Sequence, residues 1–261
     1  MSESNQLSVQ NKNRESVLGY PVDLYNEAQA LAEIETAWKN NRGLHVVTIN
    51  AEMIVASQKD KSLDKIVRQA DLIVPDGAGV VQALRLSGAR VSRLPGIELA
   101  DATLARAAAL GEAVAFLGGR PEVMDKLLQV LPEKYPTLKI VAHQNGFFPA
   151  EDEGSVVEKI SAAQPKLLLV ALGVPRQEFF IARHAAKFKH TVVIGVGGSF
   201  DVWTGFVERA PEAYRNLNLE WFYRLKKEPW RFQRMAGSLP NFALQVLLST
   251  AAKKLGLTKK K

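Results

Sequence analysis

The chain has 261 residues, no cysteine, and 34 lysines and arginines against 27 aspartates and glutamates, for a net charge of +7. Hydrophobic residues at 47% against 23% charged exclude a disordered chain, and the missing thiols exclude disulfides and thiolate chemistry. The positive excess asks for an anionic partner, and nucleotide phosphate, nucleic acid and acidic lipid all qualify.

Residues 1–17 are polar, lack the apolar centre of a secretory signal, and read as a loose arm. Ala28, Leu31, Ile34, Ala37 and Trp38 recur at helical spacing and predict a first helix from Glu27 to Trp38. Six β-rich runs then alternate with helix-like segments: HVVTI (45–49), DLIV (71–74), AVAFL (113–117), LKIVA (138–142), KLLLVAL (166–172) and TVVIGV (191–196). Such spacing is the mark of βαβ units. Several of the runs are wholly apolar, as strands covered on both faces should be. The expected fold is a doubly wound α/β domain with a mainly parallel, Rossmann-like sheet over residues 18–208.

After Pro211 the strand signal stops, and residues 209–261 form a basic, aromatic, helical appendage. Separate helices are expected over 212–227, from Pro229 to 236, and from Pro240 onward, because proline suits the first turn of a helix better than its interior. The last of these carries Phe242, Leu244, Val246, Leu247 and Leu248 ahead of Lys253 and Lys254. It could lie on a membrane surface or pack back onto the α/β core. No run approaches the roughly 18 apolar residues of a membrane span.

Open parallel sheets bind ligands beyond the carboxyl ends of their strands, and those ends are polar or glycine-rich here. In order they carry Thr48, Asn50 and Glu52; Asp76, Gly77 and Gly79; Gly118, Gly119 and Arg120; Gly173, Gln177 and Glu178; then Gly197, Gly198 and Asp201. The glycine turns at 77, 119 and 197 are expected to offer free N–H groups at helix starts, a cradle for phosphate. No Walker or dinucleotide glycine pattern is present, so phosphate binding is suggested without ATP hydrolysis or a nicotinamide cofactor. Asp76, just beyond an apolar strand and a proline, is the candidate general base, with a helix N-cap as its competing role.

His45, His143, His184 and His190 share no ligand spacing, and no metal site is expected. Arg209 opens the cationic stretch and joins the substrate-binding candidates. Farther on, Arg224, Lys227, Arg231 and Arg234 are spaced by three, four and three residues, so they could converge on one diphosphate.

TINAEMI (48–54), DGAG (76–79), RLPGIEL (93–99), FLGG (116–119), LGVPRQE (172–178), GVGGSFDVWTGFVERAP (195–211) and LEWFYRLKKEPWR (219–231) together resemble the WecG/TagA/CpsF glycosyltransferases. Glu98 stands where the family commonly has Asp, and Tyr214 where Trp is frequent. The resemblance implies an inverting, metal-independent transferase without a cofactor. It would move a sugar, N-acetylmannosamine-type by preference, from a UDP-sugar to an undecaprenyl-diphosphate-linked acceptor of bacterial surface-polysaccharide synthesis. It implies Asp76 as base, Thr48, Asn50 and Gln177 in the active pocket, and Arg224, Arg231 and Arg234 on the diphosphate, with the last segment closing the site. The expected location is the cytoplasmic face of the membrane, held peripherally on an anionic surface. A glucose or glucuronate donor is the near alternative. A nucleic-acid- or nucleotide-binding regulator ranks below both, since the polar strand ends would then have no task, and no nucleic-acid partner is expected. A homo-oligomer is compatible with the aromatic tail.

Overall fold

A computed structural model describes residues 13–217, 219–227 and 231–255; the side chains of Asn216, Arg224, Arg231, Phe232, Gln233, Arg234, Lys253 and Lys254 are outside the description. The first described elements are the antiparallel strands β1 (Arg14–Val17) and β2 (Tyr20–Asp23), so residues 14–17 of the arm expected over 1–17 are strand, and residues 1–12 lie outside the described residues. Leu18 and Gly19 turn the chain between them at φ 51° and 87°, the handedness that a two-residue hairpin loop demands. Tyr20 and Val22 are fully buried. So is Asp23, whose carboxylate accepts the Ile73 N–H at 2.8 Å and pairs with Arg14 at 2.7 Å.

The chain then alternates through α1 (Glu27–Lys39), β3 (Leu44–Ile49), α2 (Ala51–Lys59), α3 (Lys61–Gln69), β4 (Leu72–Pro75), α4 (Ala78–Leu86) and α5 (Gly96–Leu110). It continues with β5 (Ala113–Gly118), α6 (Pro121–Lys134), β6 (Lys139–Gln144), α7 (Glu153–Ala162), β7 (Leu167–Ala171), α8 (Arg176–Arg183), β8 (Val192–Gly195) and α9 (Ser199–Trp203). Strands β3 to β8 form one parallel sheet in the order β4-β3-β8-β7-β5-β6. All six apolar runs became strands of this α/β sheet.

Helices α1, α5, α6 and α9 cover one face, where Ile34, Leu104, Leu127 and Phe200 pack on Val46 and Ile194. Helices α2 and α3 bury Ile54 and Leu63 against Val47 on the other face, and α7 and α8 bury Ile160 and Phe180 against Val193 beside them. Two-sided burial is why these strands read as unbroken apolar runs. Strand β3 leads into α2 on one face while its neighbour β8 leads into α9 on the other. The two connections diverge, and a crevice opens between them at the carboxyl ends.

Beyond β8 come α10 (Glu212–Asn216), α11 (Glu220–Lys227) and α12 (Arg231–Lys254). The single helix expected over 212–227 is thus two, because Leu217 and Leu219 donate their N–H groups back to Ala213 and Tyr214 and close α10 early. The helix start expected at Pro240 is also corrected: this proline lies inside α12. An interior proline costs about 3 kcal/mol. Burial of Met235 before it and of Phe242 and Val246 after it offsets that cost. Pro229 lies outside the described residues. Phe242 and Val246 join the core cluster of α2 and α4, and Gln245 and Gln58 exchange hydrogen bonds between α12 and α2 at 2.8 and 2.9 Å.

Candidate active site

The crevice is built by the ends of β3, β4 and β8. Thr48 is the penultimate residue of β3 and Asn50 caps α2, its side-chain oxygen accepting from Met53 N–H at 3.0 Å. Asp76 follows β4 and is anchored through its own N–H to Ile49 O at 3.0 Å. Close packing demands glycine at two neighbouring positions. A Cβ on Gly77 would stand 2.9 Å from Asn50 Cβ, and one on Gly96 would stand 2.8 Å from Thr48 Oγ1.

Two connected lobes result. The first, of about 190 Å³, is lined by Thr48, Asn50, Asp76, Gly77, Gly96 and Gly198, with Arg93, Glu220 and Trp221 across from them. The second, of about 500 Å³, shares Thr48, Asn50, Asp76 and Gly198 and extends past Gly173, Gln177 and Gly197 to Lys59.

Arg93 is the electrostatic hinge of the first lobe. Its Nε donates to the Asp76 carbonyl at 2.6 Å and its Nη2 to Glu220 at 2.8 Å, and Nη2 lies 3.6 Å from the Asp76 carboxylate. Burial works to lower the Arg93 pKa, but Asp76, Glu220 and Glu98 outweigh it and raise the value above the ordinary one. Asp76 therefore keeps a fixed cation beside it, and α11 is tied to the crevice through the same guanidinium.

A second network holds the loop after β8. Glu178, fully buried, pairs with His45 Nε2 at 2.8 Å and accepts from Gln177 Nε2 at 3.0 Å. That bond turns Gln177 Oε1 toward the Gly197 N–H, which it accepts at 3.1 Å. Gly195 is required beneath it, since a Cβ there would meet Gln177 Nε2 at 2.4 Å.

The structure thus gathers Thr48, Asn50, Asp76, Gly77, Gly173, Gln177, Gly197 and Gly198 at one crevice, with Gly79 in an apolar groove beside it. Other candidates lie elsewhere. Gly118 ends β5 and Gly119 follows it, two strands away from β8; the first packs on Ala171 and the second on Val123 and Phe200, and neither lines the crevice. Arg120 pairs with Glu122 at 3.1 Å and reaches Asp201 at 3.6 Å, outside both lobes. Glu178 is a buried support beneath Gln177. Arg209 binds Glu98 of α5, which also draws Arg215 to 3.8 Å. Lys227 pairs with Glu208 at 3.1 Å, and the side chains of Arg224, Arg231 and Arg234 lie outside the described residues.

The free amides expected at the glycine turns are likewise corrected. Gly77 N–H points to Ile49 O, Gly119 N–H to Ala171 O and Gly197 N–H to the Gln177 side chain, because polar backbone at a buried sheet end finds a protein partner. The first turn of α4, which Gly77 starts without a side-chain cap, is open to an anion, and so is the uncapped start of α5 at Gly96 and Ile97 on the same crevice.

Arg93 and Glu220 were not singled out from the sequence. Arg93 stood within RLPGIEL with no role attached, and Glu220 is an acid in the stretch 219–227 whose other ionisable groups include Arg224, Lys226 and Lys227. Among the described residues, no three His, Cys, Asp or Glu side chains gather as a metal-binding set.

Residues 15–255 match the glycosyl transferase WecG/TagA/CpsF family. The chain belongs to this family. Among its relatives, a Bacillus subtilis (strain 168) protein is 38% identical over 213 residues, covering 81% of this chain and 82% of that one. A Staphylococcus aureus (strain MW2) protein is 36% identical over 233 residues, covering 88% and 91%. Both are named N-acetylglucosaminyldiphosphoundecaprenol N-acetyl-beta-D-mannosaminyltransferase. As a WecG/TagA/CpsF member the chain is a glycosyltransferase, and its carboxylate-bearing crevice stands where an open parallel sheet holds its ligand.

Proposed function

We propose that this glycosyltransferase moves an N-acetylmannosamine-type sugar from UDP to a saccharide joined through diphosphate to a polyprenol, with inversion at the anomeric carbon. The observation that carries the reading is Asp76, set between Thr48, Asn50 and Arg93 at the floor of a crevice that is polar at one end and opens into an apolar groove at the other. The names of the relatives supply the acceptor and the transferred sugar.

In this reading the acceptor hydroxyl attacks the anomeric carbon from the face opposite UDP, and its proton passes to Asp76. The bond from that carbon to the UDP oxygen breaks, and its electron pair leaves on the phosphate. The first turn of α4 and the appendage arginines stabilise the growing negative charge, which requires no metal ion. Arg93 orients Asp76, and Gln177 fixes the glycine loop that faces the sugar.

Membrane attachment from the side agrees with two features. No helix among the described residues is long and apolar enough to cross a bilayer, and α12 carries exposed Leu244, Leu247 and Leu248. The reading is tested by an EDTA-treated screen of UDP-sugars against lipid-diphosphate saccharides, scored by released UDP. Turnover with UDP-N-acetylmannosamine is expected. Turnover confined to UDP-glucose or UDP-glucuronate would reassign the donor, and dependence on an added divalent ion would end the metal-free mechanism.

A further inference from the structure

We propose that the apolar groove between α4 and α12 holds the first isoprenoid units of the acceptor lipid, next to its diphosphate; this rests on the function proposed above. The groove has a volume of about 410 Å³ and runs on from the polar crevice, since Asn50, Glu52, Gly77, Ala78, Trp221 and Met235 line both. Past that shared stretch the wall changes to Ala83, Leu86, Leu239, Phe242, Ala243 and Val246. Gly79 forms its floor, where a Cβ would stand only 3.3 Å from the Phe242 ring.

A ligand that fills both spaces must be ionic and hydroxylated at one end and hydrocarbon at the other. A saccharide diphosphate on a polyprenol has that form, with its diphosphate at the junction. The junction here is Ala78, the first residue of α4, which lines both spaces at the uncapped helix start. Leu244, Leu247 and Leu248, each more than half exposed, continue the apolar surface along α12 and would guide the rest of a long chain away. A protein partner seated in this groove would instead block the mouth through which an acceptor enters.

The experiment uses the full chain without detergent or vesicles and two acceptors: N-acetylglucosaminyl diphosphate bearing a farnesyl tail, and the same head bearing an ethyl group. Ala243 and Leu86 are exposed on opposite walls, so Ala243→Phe fills the groove and Leu86→Asp polarises it without disturbing the core. In the wild type, kcat/KM should favour farnesyl by at least roughly tenfold, a factor that burial of two methylenes already supplies. Both variants should lose most of that preference while the ethyl acceptor stays within about twofold.

Equal kcat/KM for the two tails in the wild type would overturn the groove's assignment, as would variants that slow both acceptors alike. A preference that arises only on adding vesicles would assign the tail to the bilayer and overturn it too. Failure of the wild type to release UDP with either head would remove the parent function, a result distinct from activity that ignores the tail.

Discussion

At the scale of single residues, Asp76 combines a position in the crevice with a cation held 3.6 Å away. A general base contributes roughly 10²- to 10⁴-fold to rate, so Asp76→Asn should lower kcat by at least about 100-fold. The substitution keeps shape and removes basicity. UDP binding, measured by calorimetry, should stay nearly intact, and retained turnover would take Asp76 out of the chemistry. Thr48, Asn50 and Gln177 are held by different constraints. Asn50 is committed to its helix cap, Thr48 is pressed against Gly96, and Gln177 is oriented by Glu178. Each therefore presents one fixed edge to a ligand.

At the scale of elements, α11 and α12 divide the appendage into a tether and a wall. Glu220 ties α11 to Arg93 at 2.8 Å, so Glu220→Ala should loosen that helix and misplace the guanidinium beside Asp76. A fall in kcat/KM of roughly tenfold is expected from the lost positioning, with faster proteolysis near residue 220 as the structural readout. Helix α12 is instead part of the core, because Phe242 is 4% exposed within the α2 and α4 cluster. Phe242→Ala should destabilise the fold by about 3 kcal/mol, seen as a melting temperature lower by several degrees. An unchanged melting temperature would show α12 to be dispensable to the core.

The same elements show what could be read from the chain without coordinates. Five of the six sheet strands were legible because burial on both faces makes them nearly continuous apolar runs, while the edge strand β6, mostly exposed, showed only the short run IVA; Asp76 was legible because it follows one of the buried strands. The strand Arg14–Val17 was not, since its sequence RESV is mostly polar and exposed, and its turn places a leucine at positive φ where Asn or Gly is usual. Arg93 and Glu220 lie 127 residues apart and acquire meaning only when α11 folds over the crevice. Strand order was equally hidden: β5 stands two places from β8, which is why the glycines at 118 and 119 miss the site.

At the scale of the molecule, ion pairs set the response to acid. Glu35 is held below its usual pKa of 4.5 by the Arg106 hydrogen bonds. Burial raises the pKa of Glu153, but His184 and Arg183 outweigh it and hold the group low; Tyr20 and Arg68 do the same for Asp64 against its own burial. A folded pKa below the unfolded one stabilises the fold above the unfolded value and loses that contribution as pH falls through the folded value. The melting temperature should therefore be flat near neutrality and drop as pH falls below about 4.5, the ordinary value of the two glutamates. A steady fall that begins near neutrality would contradict this. The net charge of +7 acts outward instead. Sedimentation with vesicles should show binding to anionic lipid that weakens as salt rises, and salt-insensitive binding would leave the exposed leucines of α12 as the attachment.

The buried carboxylate of Asp23 has a bearing on how copies of this protein meet. Strand β4 is the outermost on its side of the sheet, and such a border ordinarily offers vacant amides to any passing chain. Here the Ile73 amide is already occupied by a side chain, and Arg14 locks that side chain in place from the hairpin. On the flank nearest the crevice, that amide is thus withheld from any foreign strand.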